Sequence, residues 1–364
     1  MKITTLILLF IYSINFNLLS QSPLVDNTWN LVWMDDFNGS LNDNIWLIRD
    51  KADHYSAENP EPQIYLQNNI SFDNQNLIIT MKYENYTCVY PYINEWWCNR
   101  QSKLGIGYNY TSGWIESKNS YRPKYGYIEA KIKCPIGYGF WPAFWTNSDW
   151  PNKQGANYQE IDIFEMIPGS KEKGLSEGFL SSDFIHNVNV MTNNIHYNYT
   201  PGTNGSSGVF DGELRLYSIN DYSNWHKYGI EWSPSKIIYY VDDIIYRIQK
   251  NDGMIDPTRI ILNFALNPNF QYFANQFPAK MYVDYVKYYT LNNQCYTSIN
   301  QCSYDFDNHT NTVKKDYILG GSSCVNQVPI NKKFIFRASN EIILNKNFEI
   351  PVGCDLYFDV NTCY

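Results

Sequence analysis

The octapeptide Gln159-Glu160-Ile161-Asp162-Ile163-Phe164-Glu165-Met166 sets three carboxylates among bulky apolar side chains. Ile and Phe favour a pleated, half-buried strand, and alternate strand residues share a face. Glu160 and Asp162 therefore point the same way. Glu165, five positions past Glu160, faces the other way on a regular strand. One extra residue in a β-bulge, at Ile163 or Phe164, restores it to the face of Glu160. The two glutamates are then four strand steps apart, roughly 13 Å between Cα atoms. Side chains leaning together across a concave sheet narrow that to about 5 Å between carboxyl groups. At that separation one carboxylate can attack an anomeric carbon while the other, protonated, donates to the leaving oxygen. A solvated polar face explains one or two acids. It explains three poorly, because clustered like charges repel and raise one another's pKa, and perturbed acids tend to mark sites.

Glu160-Ile-Asp-Ile-Phe-Glu165 resembles the signature of glycoside hydrolase family 16 in its bulged form. The similarity runs from about Leu31 to Tyr289. Leu31-Val-Trp-Met-Asp-Asp-Phe-Asn-Gly39 resembles the family's opening strand. Tyr125–Lys133 and Gly139–Trp145 resemble the segments before the catalytic strand, and Trp225–Trp232 and Met281–Lys287 the closing ones. The resemblance implies that Glu160 is the nucleophile, Glu165 the acid/base and Asp162 an assistant that hydrogen-bonds Glu160. It implies no cofactor for catalysis. The charges of Glu160 and Asp162 should hold Glu165 protonated near neutral pH, until Glu160 loses its charge in a glycosyl-enzyme.

Other residues join this site as substrate contacts. Trp141 and Trp145 share a strand face, and flat aromatic rings suit the apolar faces of pyranoses; the competing reading is two core tryptophans. The resemblance places Asn263 near the cleft, as a sugar ligand or a structural amide. Trp114 and Glu116 fall at a substrate-binding position where many relatives carry Arg in place of Trp114. His196 has two readings, a residue that reaches the cleft and a satisfied structural histidine, of which the second is preferred. The family also commonly holds a structural calcium ion on its convex face, bound by backbone oxygens near the opening strand and before the second strand and by an Asp of the closing strand; the matching positions are Asp36, Gln75 and Asp284.

The elements that must carry these residues read as β. Candidate strands such as Asn76–Lys82, Ser112–Lys118, Tyr125–Lys133 and Arg259–Leu266 recur between Asn, Asp, Gly and Pro. Ile237–Tyr240 and Ile244–Ile248 flank Asp242-Asp243 as a hairpin. Long helical periodicity is absent. The expected fold is all-β: an antiparallel β-sandwich, made specific by the resemblance as a jelly roll with a concave substrate cleft, plus a small β-rich C-terminal domain.

Residues 1–20 read as a signal peptide, because the apolar run from Leu6 to Ile11 is far short of the ~18 residues of a membrane span. The expected location is therefore secreted, extracellular or periplasmic, with no membrane insertion. Residues 21–291 make the expected catalytic domain, 292–303 a polar linker and 304–364 a Cys-containing accessory domain. That last stretch resembles small β-stacked modules appended to secreted bacterial proteins. The eight cysteines suit an oxidising compartment. Cys88 and Cys98 read as a local disulfide, and Cys134 as a buried thiol. A net charge of −8 without a basic run argues against a nucleic-acid partner; the expected partner is a polysaccharide, bound by a monomer.

The substrate is open between a β-1,3- or mixed-linkage glucan and a red-algal galactan (agar, porphyran or carrageenan). Phe164 and Gln159 stand where laminarin-type enzymes usually carry Met and Gly. The net negative charge disfavours a sulfated polyanion, whereas Lys118, Arg122 and Lys124 offer a local sulfate site or an ordinary solvated loop. A non-catalytic carbohydrate-binding protein is the competing class, disfavoured by the retention of all three carboxylates. A transglycosylase is disfavoured by the bulge.

Overall fold

A computed structural model describes residues 29–54, 60–87, 107–137, 139–148, 159–166, 190–197, 217–218, 222–251, 253–268, 272–291, 299–301, 313–319, 326–328 and 333–360. The expected signal peptide and the Cys88–Cys98 pair lie outside the described residues. Strands dominate, and the only helical pieces among the described residues are short 3₁₀ turns. None is long and apolar enough to cross a membrane.

Up to Leu291 the chain builds two sheets. One, of seven strands, runs in the order Tyr217–Ser218, Val190–Tyr197, Gln159–Met166, Phe140–Asn147, Arg259–Leu266, Trp114–Ser117, Trp46–Ile48. The other has ten strands, with Gly126–Lys133, His226–Trp232 and the long Ala279–Leu291 strand at its centre. Neighbours are antiparallel, apart from Gln63–Tyr65 beside Gly107–Ser112. The core lies between the sheets. Phe140, Phe144, Ile161, Phe164, Leu262 and Phe264 from the first meet Ile128, Ile230, Tyr239 and Met281 from the second, all at most 1% exposed. Burying each such side chain stabilises the fold by roughly 1.5–3 kcal/mol. Phe164 stacks on Tyr228 with ring centroids 4.1 Å apart.

The Asp242-Asp243 hairpin forms as expected between Lys236–Val241 and Ile244–Lys250. Both aspartates have positive φ, 48° and 67°, the primed turn whose twist matches the flanking strands. The expected Ser112–Lys118 strand divides instead. Gly107–Ser112 lies in the ten-stranded sheet and Trp114–Ser117 in the seven-stranded one. The crossing is at Gly113, where a Cβ would sit 2.4 Å from Ile70 Cδ1, so a larger residue there would have to displace the Ile70 side chain.

The C-terminal residues fold differently. Ile299–Gln301, Val313–Leu319, Lys333–Leu344 and Asp355–Val360 form one wholly parallel sheet, and Asn326–Gln327 pairs in parallel with Phe348–Glu349. Leu319 faces Leu344 and Lys333 faces Asp355, so the chain returns to the same register after each turn and stacks as a small β-coil. Leu319, Val328, Phe336 and Ala338 form its own core. Residues 299–301, read as linker, are a strand of this stack; their polar sequence carried no strand signal.

Candidate active site

The Gln159–Met166 strand carries the bulge that its spacing requires. Asp162 pairs with Trp145 and Phe164 with Phe144, so Ile163 is the extra residue against this neighbour. On the other side Asp162 pairs with Asn194 and Glu165 with Thr192. Ile163 and Phe164 consecutively face the core, 2% and 0% exposed. Their apolar burial fixes the bulge, and the bulge returns Glu165 to the face of Glu160 and Asp162. The adjoining strands extend that face: Asp162, Trp145, Ile261 and Glu116 form one cross-strand row, and Glu165, Ala143, Asn263 and Trp114 another.

Glu165 is half-buried, and Trp141 Nε1 donates to its Oε1 at 2.9 Å. Burial pushes its pKa well above the ordinary value, and the charges of Asp162 and then Glu160 add to the rise; His196 and the Trp141 bond oppose it. Desolvation thus outweighs the like-charge repulsion that the sequence suggested as the cause. His196, expected to be structural, belongs to the site. Its Nε2 lies 3.1 Å from Asp162 Oδ2 and 3.6 Å from Glu160 Oε1. Burial would lower its pKa, but the hydrogen bond to Asp162 and the charges of Glu160, Asp162 and Glu165 hold it up at about 9. Its cross-strand partner is Glu160, on another strand and too distant in sequence for any local signal. The Val190–Tyr197 strand is pinned from the opposite sheet by Arg247, whose Nη1 donates to Asn193 O at 2.7 Å, and by Tyr239 OH donating to Asn194 O at 3.2 Å.

The other expected contacts divide. Trp141 is half-buried beside Glu165. Trp145 is only 7% exposed and donates through Nε1 to Asn263 Oδ1 at 2.8 Å. Asn263, 4% exposed, donates in turn to Tyr65 OH at 3.0 Å; it is a structural amide. Trp114 packs edge-on against Trp145 with centroids 5.4 Å apart. Glu116 is taken up by Arg49 at 2.8 and 2.5 Å, Arg259 at 2.6 Å and Trp114 Nε1 at 3.2 Å. Its carboxylate ties the Trp114–Ser117 strand to Arg49 and to Arg259 of the neighbouring strand. Lys118 caps the Asp43 carbonyl, Arg122 bonds the Asn119 side chain at 2.5 Å and Lys124 lies over the Tyr125 ring, the behaviour of a solvated loop.

The three positions expected at a calcium site come near one another. Asp35 pairs with Val286 and Leu77 with Val283, so register brings Asp36, Gln75 and Asp284 toward one junction of the ten-stranded sheet. There the Asp284 carboxylate takes Lys131 Nζ at 2.6 Å, and Asp36 takes the Asn38 amide at 2.6 Å. Gln75 offers a backbone N–H to Asp73. Cys134 is the buried thiol that was expected, and its pKa is raised by burial.

Sequence reading missed Glu61, Gln63, Tyr65 and His54. Glu61, 3% exposed, accepts from Gln63 Nε2 at 2.6 Å, Tyr65 OH at 2.8 Å and the His54 ring at 2.6 Å. The alternation of polar residues at 61, 63 and 65 was the available signal, because alternate positions share a face.

A β-sandwich with a carboxyl of raised pKa beside further carboxylates on one bulged strand has the constellation of a two-carboxylate glycosidase. The profile described as Glycosyl hydrolases family 16 matches residues 59–269, and the chain belongs to that family. It is similar to the endo-1,3-1,4-beta-glycanase EglC of Rhizobium meliloti (strain 1021), 31% identical over 194 residues, 51% of this chain and 34% of that protein. It is also similar to the kappa-carrageenase of Pseudoalteromonas carrageenovora, 28% identical over 253 residues, 64% of this chain and 59% of that protein. The chain thus spans about a third of the first relative's length and under two thirds of the second's. Among solved structures, the catalytic domain of an endo-1,3-beta-glucanase (laminarinase) from Thermotoga petrophila RKU-1 superposes with a TM-score of 0.54 at 25% identity, covering 73% of this chain and 99% of that one.

Proposed function

We propose that this chain is a secreted, monomeric, endo-acting glycoside hydrolase that cleaves a β-1,3- or mixed-linkage glucan with retention of configuration. The observation that carries the reading is the raised pKa of Glu165, on the same face as Glu160 by virtue of the Ile163 bulge. Glu160 attacks the anomeric carbon, and the C–O bond to the leaving sugar breaks as Glu165 gives that oxygen its proton. A glycosyl ester on Glu160 results. Its formation removes the Glu160 charge, so Glu165, now ionised, can take a proton from water as that water attacks the same carbon and the ester bond breaks. Two inversions leave the β configuration. Asp162 and His196 hold Glu160 between a carboxylate and an imidazolium throughout. Trp141, bonded to Glu165, offers its half-buried ring to the sugar on the leaving side.

A neutral glucan is favoured over a sulfated galactan because Lys118 is taken up by the Asp43 carbonyl and Arg122 and Lys124 by neighbours in their own loop. The apolar start of the chain supports secretion. The test is release of reducing ends from laminarin, mixed-linkage glucan, agarose, porphyran and carrageenan by the wild type and by Glu160→Ala. Cleavage of the first two, abolished in Glu160→Ala, is expected. Cleavage confined to a sulfated galactan would reverse the substrate assignment, and activity surviving in Glu160→Ala would remove the nucleophile.

A further inference from the structure

Two bulges meet across the core. In the catalytic strand, Asp162 pairs with Asn194 and Glu165 with Thr192, so Ile163 and Phe164 together oppose one residue, Asn193. In the opposite sheet, Tyr239 pairs with Arg247 and Tyr240 with Ile245, which makes Tyr246 an extra residue. On a regular strand Arg247 would share a face with Ile245, which packs with Trp29, Tyr127 and Tyr240 in a cluster apart from the inter-sheet core. The extra residue turns Arg247 instead to the inner face, that of Tyr239.

There the guanidinium takes hold of the residue opposite the catalytic bulge. Nη1 donates to Asn193 O at 2.7 Å and to Asn193 Oδ1 at 2.6 Å. Tyr239 takes the next carbonyl, its O–H donating to Asn194 O at 3.2 Å. The guanidinium also lies over the Tyr239 ring, 5.4 Å from its centroid. Arg247 is 4% exposed and Asn193 0%. A charge so deeply buried is costly unless it is hydrogen-bonded, and apolar side chains fill a core position without that cost. What the guanidinium supplies instead is charge-assisted bonds to two acceptors of one residue. They fall where the ladder of the catalytic strand changes register.

We propose that Arg247 is a positioning residue for Glu165: its grip on Asn193 holds the two-against-one register of the bulge, and with it the Glu165 carboxyl on the catalytic face. A slip of one residue at this point turns the side chains beyond it to the other face. Glu165 would then part from Trp141 Nε1, now 2.9 Å from its Oε1. Glu160 and Asp162 lie before the bulge and pair with His196 and Asn194, so the effect falls on the acid and spares the nucleophile. The inference rests on the hydrolase reading above and adds to it a residue that acts from the core through Asn193.

The test measures kcat/KM of wild type, Arg247→Met, Arg247→Lys and Asn193→Ala on dinitrophenyl and phenyl β-oligosaccharides of the cleaved polysaccharide, with circular dichroism and melting curves to confirm folding. The dinitrophenyl group leaves without a proton, whereas the phenyl group needs one. In Arg247→Met, kcat/KM should fall about 10–100-fold on the phenyl substrate and less than about threefold on the dinitrophenyl one. Arg247→Lys keeps a charged donor and should recover part of the loss. Asn193→Ala removes Oδ1, leaves the carbonyl and should show a smaller loss of the same kind; it decides the matter where Arg247→Met does not fold. Equal losses on both substrates, or no loss on either, overturn the assignment. Hydrogen exchange reads the bulge without activity: in the same folded variant, amides of residues 159–166 and 190–197 should exchange faster and those of 259–266 as in wild type. If wild type cleaves no glycoside, the hydrolase reading falls alone. The exchange then still decides whether Arg247 holds the bulge, and unchanged rates at 159–166 overturn it.

Discussion

Glu165 and Glu116 stand on the same face of the same sheet, and their surroundings differ in one respect. Glu116 is gripped by two guanidinium groups and an indole N–H. Glu165 accepts the neutral N–H of Trp141 and faces the carboxylates of Asp162 and Glu160, with His196 partly opposing them. The first environment makes a glutamate into a structural anion. The second raises a glutamate's pKa and favours its protonated form, the form that can give a proton away. Residue type and strand face are shared, so the role of each acid is set by its partners, which come from distant parts of the chain.

The largest expected effect lies at the carboxylates themselves. Glu160→Ala should lower kcat by more than ~10⁴-fold. Glu165→Gln should lower it by ~10²–10⁴-fold on substrates with poor leaving groups, with much smaller losses when the leaving group needs no proton. Equal losses on both kinds of substrate would mean that Glu165 is not the acid. Deleting Ile163 removes the bulge and turns Glu165 toward the core. Activity should vanish in a chain that still shows β-sheet by circular dichroism, and retention of activity would show that the bulge does not set the site.

Stability separates the two glutamates in opposite directions. Glu116→Gln leaves two buried guanidinium groups without their carboxylate and should destabilise the fold by about 3–5 kcal/mol. Glu165→Gln should stabilise it at neutral pH. The Glu165 pKa is raised in the fold, so the native state bears a cost that grows as pH rises from the carboxyl's ordinary 4.5 through the raised value. The gain should therefore be absent below about pH 4 and present above neutrality. A Glu165→Gln melting temperature below wild type at pH 8 would contradict the environment assigned to it.

The smallest effect is that of His196. Its pKa is raised from 6.5 to about 9, so its stabilising contribution is complete below pH 6.5 and fades as pH rises through about 9. Wild-type melting temperature should fall across that window, and His196→Gln should flatten the fall. An identical slope in the variant would place the His196 proton elsewhere.

The legibility of the molecule follows the same division. The three carboxylates, the bulge and the Arg259–Leu266 strand were readable because alternation and a single extra residue are local properties. Glu116 was read as a sugar contact because nothing near it in sequence announces Arg49 or Arg259. His196 reaches Glu160 only through strand pairing, and His54 reaches the face only through the Ala52–Tyr65 bridge. The parallel stacking of the C-terminal residues was hidden for a related reason: short strands separated by Asn, Gly and Pro do not reveal whether the chain turns back or coils onward. The separate apolar core of that stack indicates that a chain ending at residue 291 should keep its activity on soluble oligosaccharides, and failure of that chain to fold would join the two regions.

Azide rescue tests the division of labour between Glu160 and Glu165 most directly. With a dinitrophenyl β-oligosaccharide, Glu165→Ala can still form the glycosyl-enzyme, and azide then replaces water on the face opposite Glu160. In Glu160→Ala, azide takes the place of the missing carboxylate and displaces the leaving group itself. The expected products are a β-glycosyl azide from Glu165→Ala and an α-glycosyl azide from Glu160→Ala, each identified by its anomeric proton in NMR. Reversed anomers would exchange the two roles, and the same anomer from both variants would contradict the double displacement.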